Sequence, residues 1–275
     1  MTTFAHISDL HFGTEAPGLV EALLADLTRA SPSVVVVSGD LTQRARPREF
    51  AAAKRFLDRL PFPRLVIPGN HDIPLFDLIG RFVRPLGRFQ EYLGADLEPF
   101  FATSDIAVLG LNTARATQWK EGRVSEVQMK RLRHRFTDVP DTALRVLVTH
   151  HPFLPPEADP GTPVLGRARR ALEAAEAAKV DLMLAGHLHL GYTGDVRRRY
   201  IGLNRAMLVA QAGTAISRRV RNEVNSYNLI EYAAPRLSIS VRAWNGRDFA
   251  TAGTTLFLRS ARGLEPAKPA AQRVV

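Results

Sequence analysis

The stretch 66-VIPGNHDIP-74 decides how this chain is read. An apolar, strand-like run stops at Pro68-Gly69, and Asn70, His71 and Asp72 follow in succession. Pro74 prevents an immediate regular helix. Three polar side chains that can bind a metal or a proton therefore sit on a tight turn after a buried strand. Taken alone, PGNHD reads equally as an ordinary polar turn or as half of a reaction centre.

The surrounding chain repeats the pattern. The runs TFAHIS (3–8), SVVVVSG (33–39), RLVIPG (64–69), IAVLGLN (106–112), LRVLVTH (144–150) and VDLMLAG (180–186) are short and apolar. Such runs suit strands buried on both faces. Between several of them lie helix-like segments at 17–30, 47–60, 125–136 and 167–179. Leu19, Leu23 and Leu27 share one face, Pro47 suits a first helical position, and Ser125 suits an N-cap. The alternation predicts an α/β core. Beyond Gly186 the runs RAMLVAQAG (205–213), SYNLIEYA (226–233) and RLSISVRAW (236–244) have little helix between them, which predicts a later, more antiparallel sheet. The Pro- and Gly-rich stretch 153–166 reads as a loop placed to cover a site. Residues 1–260 are expected to form a single domain, and residues 261–275 a disordered basic tail with few apolar anchors.

The chain has 275 residues, of which 45% are hydrophobic, enough for one large core. It has no cysteine, which excludes disulfides, a thiolate nucleophile and thiolate metal ligands. No signal-peptide pattern or membrane-spanning run is visible, so a cytoplasmic location is expected. The net charge is +10, nearly all of it from arginine, with clusters at 167–170, 197–199 and 218–221. Such a surface attracts polyanions and small anionic substrates alike. It lacks the interleaved aromatics of a single-strand-binding surface.

The strand ends carry the chemistry. Asp9 and His11 end the first run, Asp40 the second, Asn70, His71 and Asp72 the third; His150 and His151, then His187 and His189, end two later ones. Of the 8 histidines only His6 and His134 lie elsewhere, read as a core and a solvated residue. Parallel strands would bring these ends to one rim. Imidazoles, carboxylates and one amide oxygen form a mixed N/O donor set for divalent transition metals. It is too large for one tetrahedral ion and sufficient for two, with one central carboxylate shared. Two such ions about 3.5–4 Å apart suit in-line displacement at phosphorus and would lower the pKa of a bound water, giving a hydroxide nucleophile.

The blocks D-x-H, GD, GNHD, HH and GHLH, in order from Asp9 to His189, resemble those of the calcineurin-like metallophosphoesterases. The local wording looks most like the class III cyclic-nucleotide phosphodiesterase branch. The resemblance implies a four-layer αββα sandwich, with two packed mixed β-sheets flanked by helices. It implies Asp9, His11 and His189 on a first metal, Asn70, His150 and His187 on a second, and Asp40 bridging them. The ions would be manganese, iron or zinc. His71 would face the scissile phosphate and serve the leaving oxygen, and Asp72 would orient His71. His151 would lie near the centre without being the ligand.

The expected function is hydrolysis of a small anionic phosphodiester, a cyclic nucleotide or a similar molecule. A nuclease is the less favoured alternative: the charge supports it, but no second module or aromatic platform is visible. A lipid-precursor pyrophosphatase is opposed by His71, where that group has arginine, and by the lack of a visible amphipathic lid. A metal-binding scaffold is opposed by the intact ligand set. A homodimer is compatible with the chain. Arg44, Arg46 and Arg115 are weaker candidates for phosphate contact, and Asn112, which ends a strand-like run, is a weaker candidate for a place near the site. The segment 212–228 is a candidate pocket wall or dimer contact.

Overall fold

A computed structural model describes residues 1–267, apart from residue 119 and residues 221 and 222. In chain order its strands are β1 (Thr2–Ile7), β2 (Val34–Val37), β3 (Arg64–Val66), β4 (Phe100–Ala102), β5 (Ile106–Gly110), β6 (Leu144–Val148), β7 (Leu182–Ala185), β8 (Tyr192–Asp195), β9 (Leu208–Gln211), β10 (Ser226–Ala233), β11 (Arg236–Trp244), β12 (Phe249–Ser260) and β13 (Gly263–Pro266). The helices are α1 (Pro17–Ala30), α2 (Pro47–Asp58), α3 (Leu78–Val83), α4 (Gly87–Leu93), α5 (Glu126–Arg135) and α6 (Ala168–Ala177).

Local chemistry accounts for the main helices. Pro17 and Pro47 sit in the first turns of α1 and α2, where a missing N–H costs nothing. Ser125 caps α5 by accepting from the Gln128 N–H, and Gln128 returns the bond to the Ser125 N–H.

One sheet runs β13-β12-β11-β10-β1-β2-β3 and the other β4-β5-β6-β7-β9-β8. β1, β2 and β3 are mutually parallel, as are β5, β6, β7 and β9. Alternation along each strand sorts the core. Phe4, Val34, Val36, Val108, Val146 and Leu184 pack between the sheets. Ala5, Ile7, Val35 and Val37 face helices α1 and α2, while Leu109, Leu147 and Met183 face α5 and α6. The result is the four-layer αββα sandwich.

Three expectations change. β9 does not join the late antiparallel sheet but pairs parallel with β7, because Leu208–Gln211 is buried throughout and suits a central strand. The late sheet is β10–β13, paired antiparallel and continued through β1. The single-domain boundary at 260 falls inside a hairpin: Gly263 turns with φ +106°, β13 pairs with β12, and Leu264 is buried. Backbone pairing there supplies the anchor that apolar composition did not reveal. The rest of the expected tail, 268–275, lies outside the described residues.

A buried carboxylate joins α1 to the late sheet. Asp26 accepts from the Tyr227 hydroxyl at 2.6 Å and from Arg242 at 2.6 and 3.0 Å. Removing it strands a buried hydroxyl and a largely buried guanidinium. Asp26→Ala is therefore expected to lower stability by about 2–4 kcal/mol, read by urea denaturation. A loss under about 0.5 kcal/mol would show that the network is neutral.

Candidate metal centre

The parallel strands deliver their C-terminal ends to one rim. Asp9 and His11 follow β1, Asp40 follows β2, Asn70 follows β3, His150 follows β6, and His187 and His189 follow β7. The loops stay paired beyond the strands, through Asp9 N–H to Gly39 O at 3.2 Å and His11 N–H to Asp40 O at 2.9 Å. Asp9, His11, Asp40, His187 and His189 all have positive φ, between +46° and +76°. That left-handed backbone is unfavourable for L-residues and marks a site that the surrounding structure holds in place. Glycine permits the crowding: a Cβ on Gly39 would lie 2.6 Å from His150 Nδ1, and one on Gly186 would lie 2.6 Å from Asp9 Oδ2.

The donor atoms converge in two groups. Asp9 Oδ1 lies 3.6 Å from His11 Nε2 and 3.4 Å from His189 Nε2, and those two nitrogens are 3.3 Å apart. His150 Nε2 lies 3.1 Å from Asn70 Oδ1 and 3.2 Å from His187 Nδ1. Asp40 Oδ2 joins both groups, at 3.7 Å from His11 Nε2 and 3.3 Å from His150 Nε2. An ion with bonds of about 2.1 Å sets its tetrahedral ligands about 3.4 Å apart, close to these separations. Each carboxylate has its other oxygen anchored: Asp9 Oδ2 accepts from His187 N–H at 2.9 Å, and Asp40 Oδ1 from His71 N–H at 2.8 Å. Asp9 Oδ1 is buried without a hydrogen-bond donor. The residues therefore fit two divalent cations bound through N and O atoms.

Hydrogen bonds on the far side of each ring aim the imidazoles. Carbonyls only accept, so Ser38 O fixes a proton on His150 Nδ1 at 2.8 Å, and Arg219 O fixes one on His189 Nδ1 at 2.6 Å. Both Nε2 lone pairs then face the centre. Burial would raise the Asp9 and Asp40 carboxyls, but the surrounding imidazoles outweigh it and hold both below the ordinary range. Burial lowers His187 to about 4 and lowers His189 too, so both rings are neutral near pH 7. Burial also opposes charge on His150, yet Asp40 carries it up to about 9. A cation competes with that proton for Nε2.

The GNHD turn is a 3₁₀ turn over Asn70–Asp72. Successive side chains there diverge by about 120°. Asn70 reaches His150, and His71 faces a cavity of about 600 Å³. Asp72 turns inward, accepting from the N–H groups of Leu41, Thr42 and Gly69 and from the Thr42 hydroxyl at 2.9–3.2 Å. Burial and then Asp40 push Asp72 up to about 6, but four donors leave its oxygens acting as acceptors. The expectation that Asp72 orients His71 is therefore not met. The Gln43 carbonyl does so at Nδ1, 2.9 Å away, because adjacent residues of a 3₁₀ turn cannot face one another. Asp72 instead ties the Asp40 loop to the Asn70 turn.

Arg219 is the residue that sequence reading missed. Its Nη1 lies 3.2 Å from both His71 Nε2 and Gln43 Oε1, and its carbonyl holds His189. It lines the cavity with Lys120, Asp159 and Thr162, the last two from the loop expected to cover a site. The pocket-wall reading of 212–228 had pointed to this segment. Arg115 and Asn112 turn inward to Gln128 and the Ala114 N–H. Arg44 stacks on Phe76 at 5.8 Å and Arg46 is exposed; neither lines the cavity. His151 is buried against His187 and bonds Thr113, and burial holds its pKa well below the usual value. His6 is buried with Ser38, and His134 is exposed, as expected.

A rim of this donor chemistry, built on this sandwich, is a candidate metal centre on a phosphoesterase-type fold. The chain belongs to the calcineurin-like phosphoesterase family, whose sequence profile matches residues 2–191. It is 34% identical over 165 residues to glycerophosphodiester phosphodiesterase GpdQ of Enterobacter lignolyticus, covering 55% of this chain and 57% of that one. The chain thus spans little more than half the length of that relative. It is 25% identical over 203 residues to a probable cyclic nucleotide phosphodiesterase of Synechococcus, covering 69% and 74%. Among solved structures, a dimetal phosphatase from Danio rerio superposes with a TM-score of 0.62 at 16% identity, over 91% of this chain and 98% of that one. A purple acid phosphatase from yellow lupin seeds gives 0.67 at 13%, over 91% and 52%. These two show the fold.

Replacing Asp40 by Asn removes the oxygen shared by both groups. Asp40→Asn is expected to hold no more than one manganese ion per chain after dialysis, against two for the wild type, counted by plasma mass spectrometry. Two ions in the variant would exclude a shared Asp40.

Proposed function

We propose that the chain hydrolyses a small anionic phosphodiester at a centre of two divalent ions, manganese, iron or zinc. Asp9, His11 and His189 would hold one ion, Asn70, His150 and His187 the other, and Asp40 would serve both. The observation that carries this reading is Asp40 Oδ2, placed between His11 Nε2 and His150 Nε2 while Oδ1 is fixed by a backbone amide. When bound, the ions supply Lewis acidity and acidify a water. The protein's own contribution is orientation, charge and proton handling. His71 keeps a proton on Nδ1 through Gln43 O and presents Nε2 to the cavity, where it serves the departing oxygen. Only the imidazolium carries an Nε2 proton to give the departing oxygen, and burial lowers the pKa, which eases that transfer. Asp72 acts as a positioning residue for the two loops.

The substrate is a cyclic nucleotide or a similar small diester such as a glycerophosphodiester. Three observations support this. The cavity, about 600 Å³, matches a ligand of nucleotide size. Lys120 and Arg219 balance Asp40 and Asp159 on its wall, and bound divalent ions would tip that balance toward an anion. Three curated relatives carry phosphodiesterase names.

The test is turnover by manganese-loaded protein of bis(p-nitrophenyl) phosphate, p-nitrophenyl phosphate, 3′,5′- and 2′,3′-cyclic AMP, glycerophosphocholine and single-stranded DNA. Faster hydrolysis of small diesters than of the monoester or DNA is expected; DNA cleavage alone would move the reading to a nuclease. His71→Ala is expected to lower kcat on the preferred diester by about 100-fold or more with metal content retained. A wild-type rate would remove His71 from the chemistry.

A further inference from the structure

Helix α3 is turned inside out. Leu78, Ile79, Phe82 and Val83 share its outward face at i, i+4 spacing, and Phe76 precedes them. All five are 62–79% exposed. Of the twelve large exposed hydrophobics among the described residues, these five fall within eight consecutive positions. The inward face instead buries Arg81, 9% exposed, with Nη1 on Pro74 O at 3.1 Å and Nη2 on Ala116 O at 2.5 Å. Water selects the opposite arrangement, with arginine out and Leu, Ile, Phe and Val in. An exposed apolar cluster of this kind marks an interaction surface.

The charge around the face identifies its occupant. Arg84 is exposed at the end of the helix, and the half-buried Arg44 stacks on Phe76. Asp77, the acidic residue at the helix start, is paired with Arg88 at 2.9 Å. The whole chain carries +10. A second copy would set like charge against like charge, whereas an anionic lipid surface offers an apolar phase and compensating headgroups together. No amphipathic lid is visible in the sequence; this helix has only 6 residues, and its asymmetry shows in its burial.

We propose that the α3 face docks on an anionic bilayer, inserting Phe76, Ile79 and Phe82 at the headgroup boundary. The inward face of the helix is tied to segments that lead to the cavity mouth. Arg81 ties α3 to Pro74, two residues beyond the GNHD turn, and to Ala116, four residues before Lys120 on the cavity wall. Docking would hold that mouth against the lipid surface. It requires neither metal nor turnover.

The test is co-sedimentation of the full chain with vesicles of phosphatidylcholine alone or phosphatidylcholine mixed with phosphatidylglycerol. The expected result is binding to the mixed vesicles, weakened by high salt. Ile79→Ser/Phe82→Ser is expected to weaken it at least about tenfold, with an unchanged melting temperature and unchanged turnover of soluble diesters. Three results would overturn the proposal: no binding to mixed vesicles at low salt, equal binding by the double variant, or a wild-type dimer that the variant converts to a monomer without vesicle binding in either.

Discussion

The rim depends on keeping the two oxygens of Asp40 pointed in different directions. Oδ1 is fixed by the His71 amide, which leaves Oδ2 between the His11 and His150 nitrogens. That arrangement forces the backbone at Asp40 into the left-handed region, at φ +51°. Gly69 must pass directly against Asp40, leaving no room for a Cβ. The same demand recurs at Asp9, His11, His187 and His189. At about 1–2 kcal/mol each, the five together approach the net stability of a whole domain. Parallel strands absorb the cost, because their ladders continue past the strand ends into the ligand loops. Cations bound only by the folded rim would add stability in the same place.

Asp72 shows how that support is distributed. It touches neither the cavity nor the His71 ring, yet it joins the loop after β2 to the turn after β3 through three amides and a hydroxyl. Asp40 and Asn70 stand on those two segments. Arg219 performs a similar function across the cavity, with its carbonyl on His189 and its guanidinium at His71. The metal-binding and proton-handling halves of the site are thus held by shared parts.

The sequence made the candidate ligand set legible because each member sits at a strand end beside a glycine or within a short polar block. Strand β1, helix α1 and the cap at Ser125 were legible for similarly local reasons. What was not legible depends on direction or on distance. Adjacent letters in NHD suggest that Asp72 serves His71, and only the 3₁₀ geometry sends it elsewhere. Arg219 lies 30 residues beyond His189, and the sequence marks its segment, 212–228, without marking the contact. Asp26 carries no local mark of its partners, because Tyr227 and Arg242 arrive from strands about 200 positions away. Strand β9 resembles its antiparallel successors in composition, and only its burial on both faces places it beside β7.

The orientation of α3 follows from the site rather than from its own sequence. Its apolar residues would ordinarily turn inward. Rotating the helix to bury them would draw Arg81 off the Pro74 and Ala116 carbonyls and leave those acceptors unpaired. Those carbonyls belong to the segment just after the GNHD turn and to the loop leading to Lys120, so both sides of the cavity mouth would lose their tie. The helix therefore has two competing demands on one short surface: apolar burial, and fixation of the mouth through a guanidinium. Arg81 decides between them, since one charged side chain bound to two carbonyls cannot be replaced by a leucine facing the same gap. The apolar face is left outward as a consequence of holding the GNHD turn still, and its exposure is structurally linked to the candidate site beneath it.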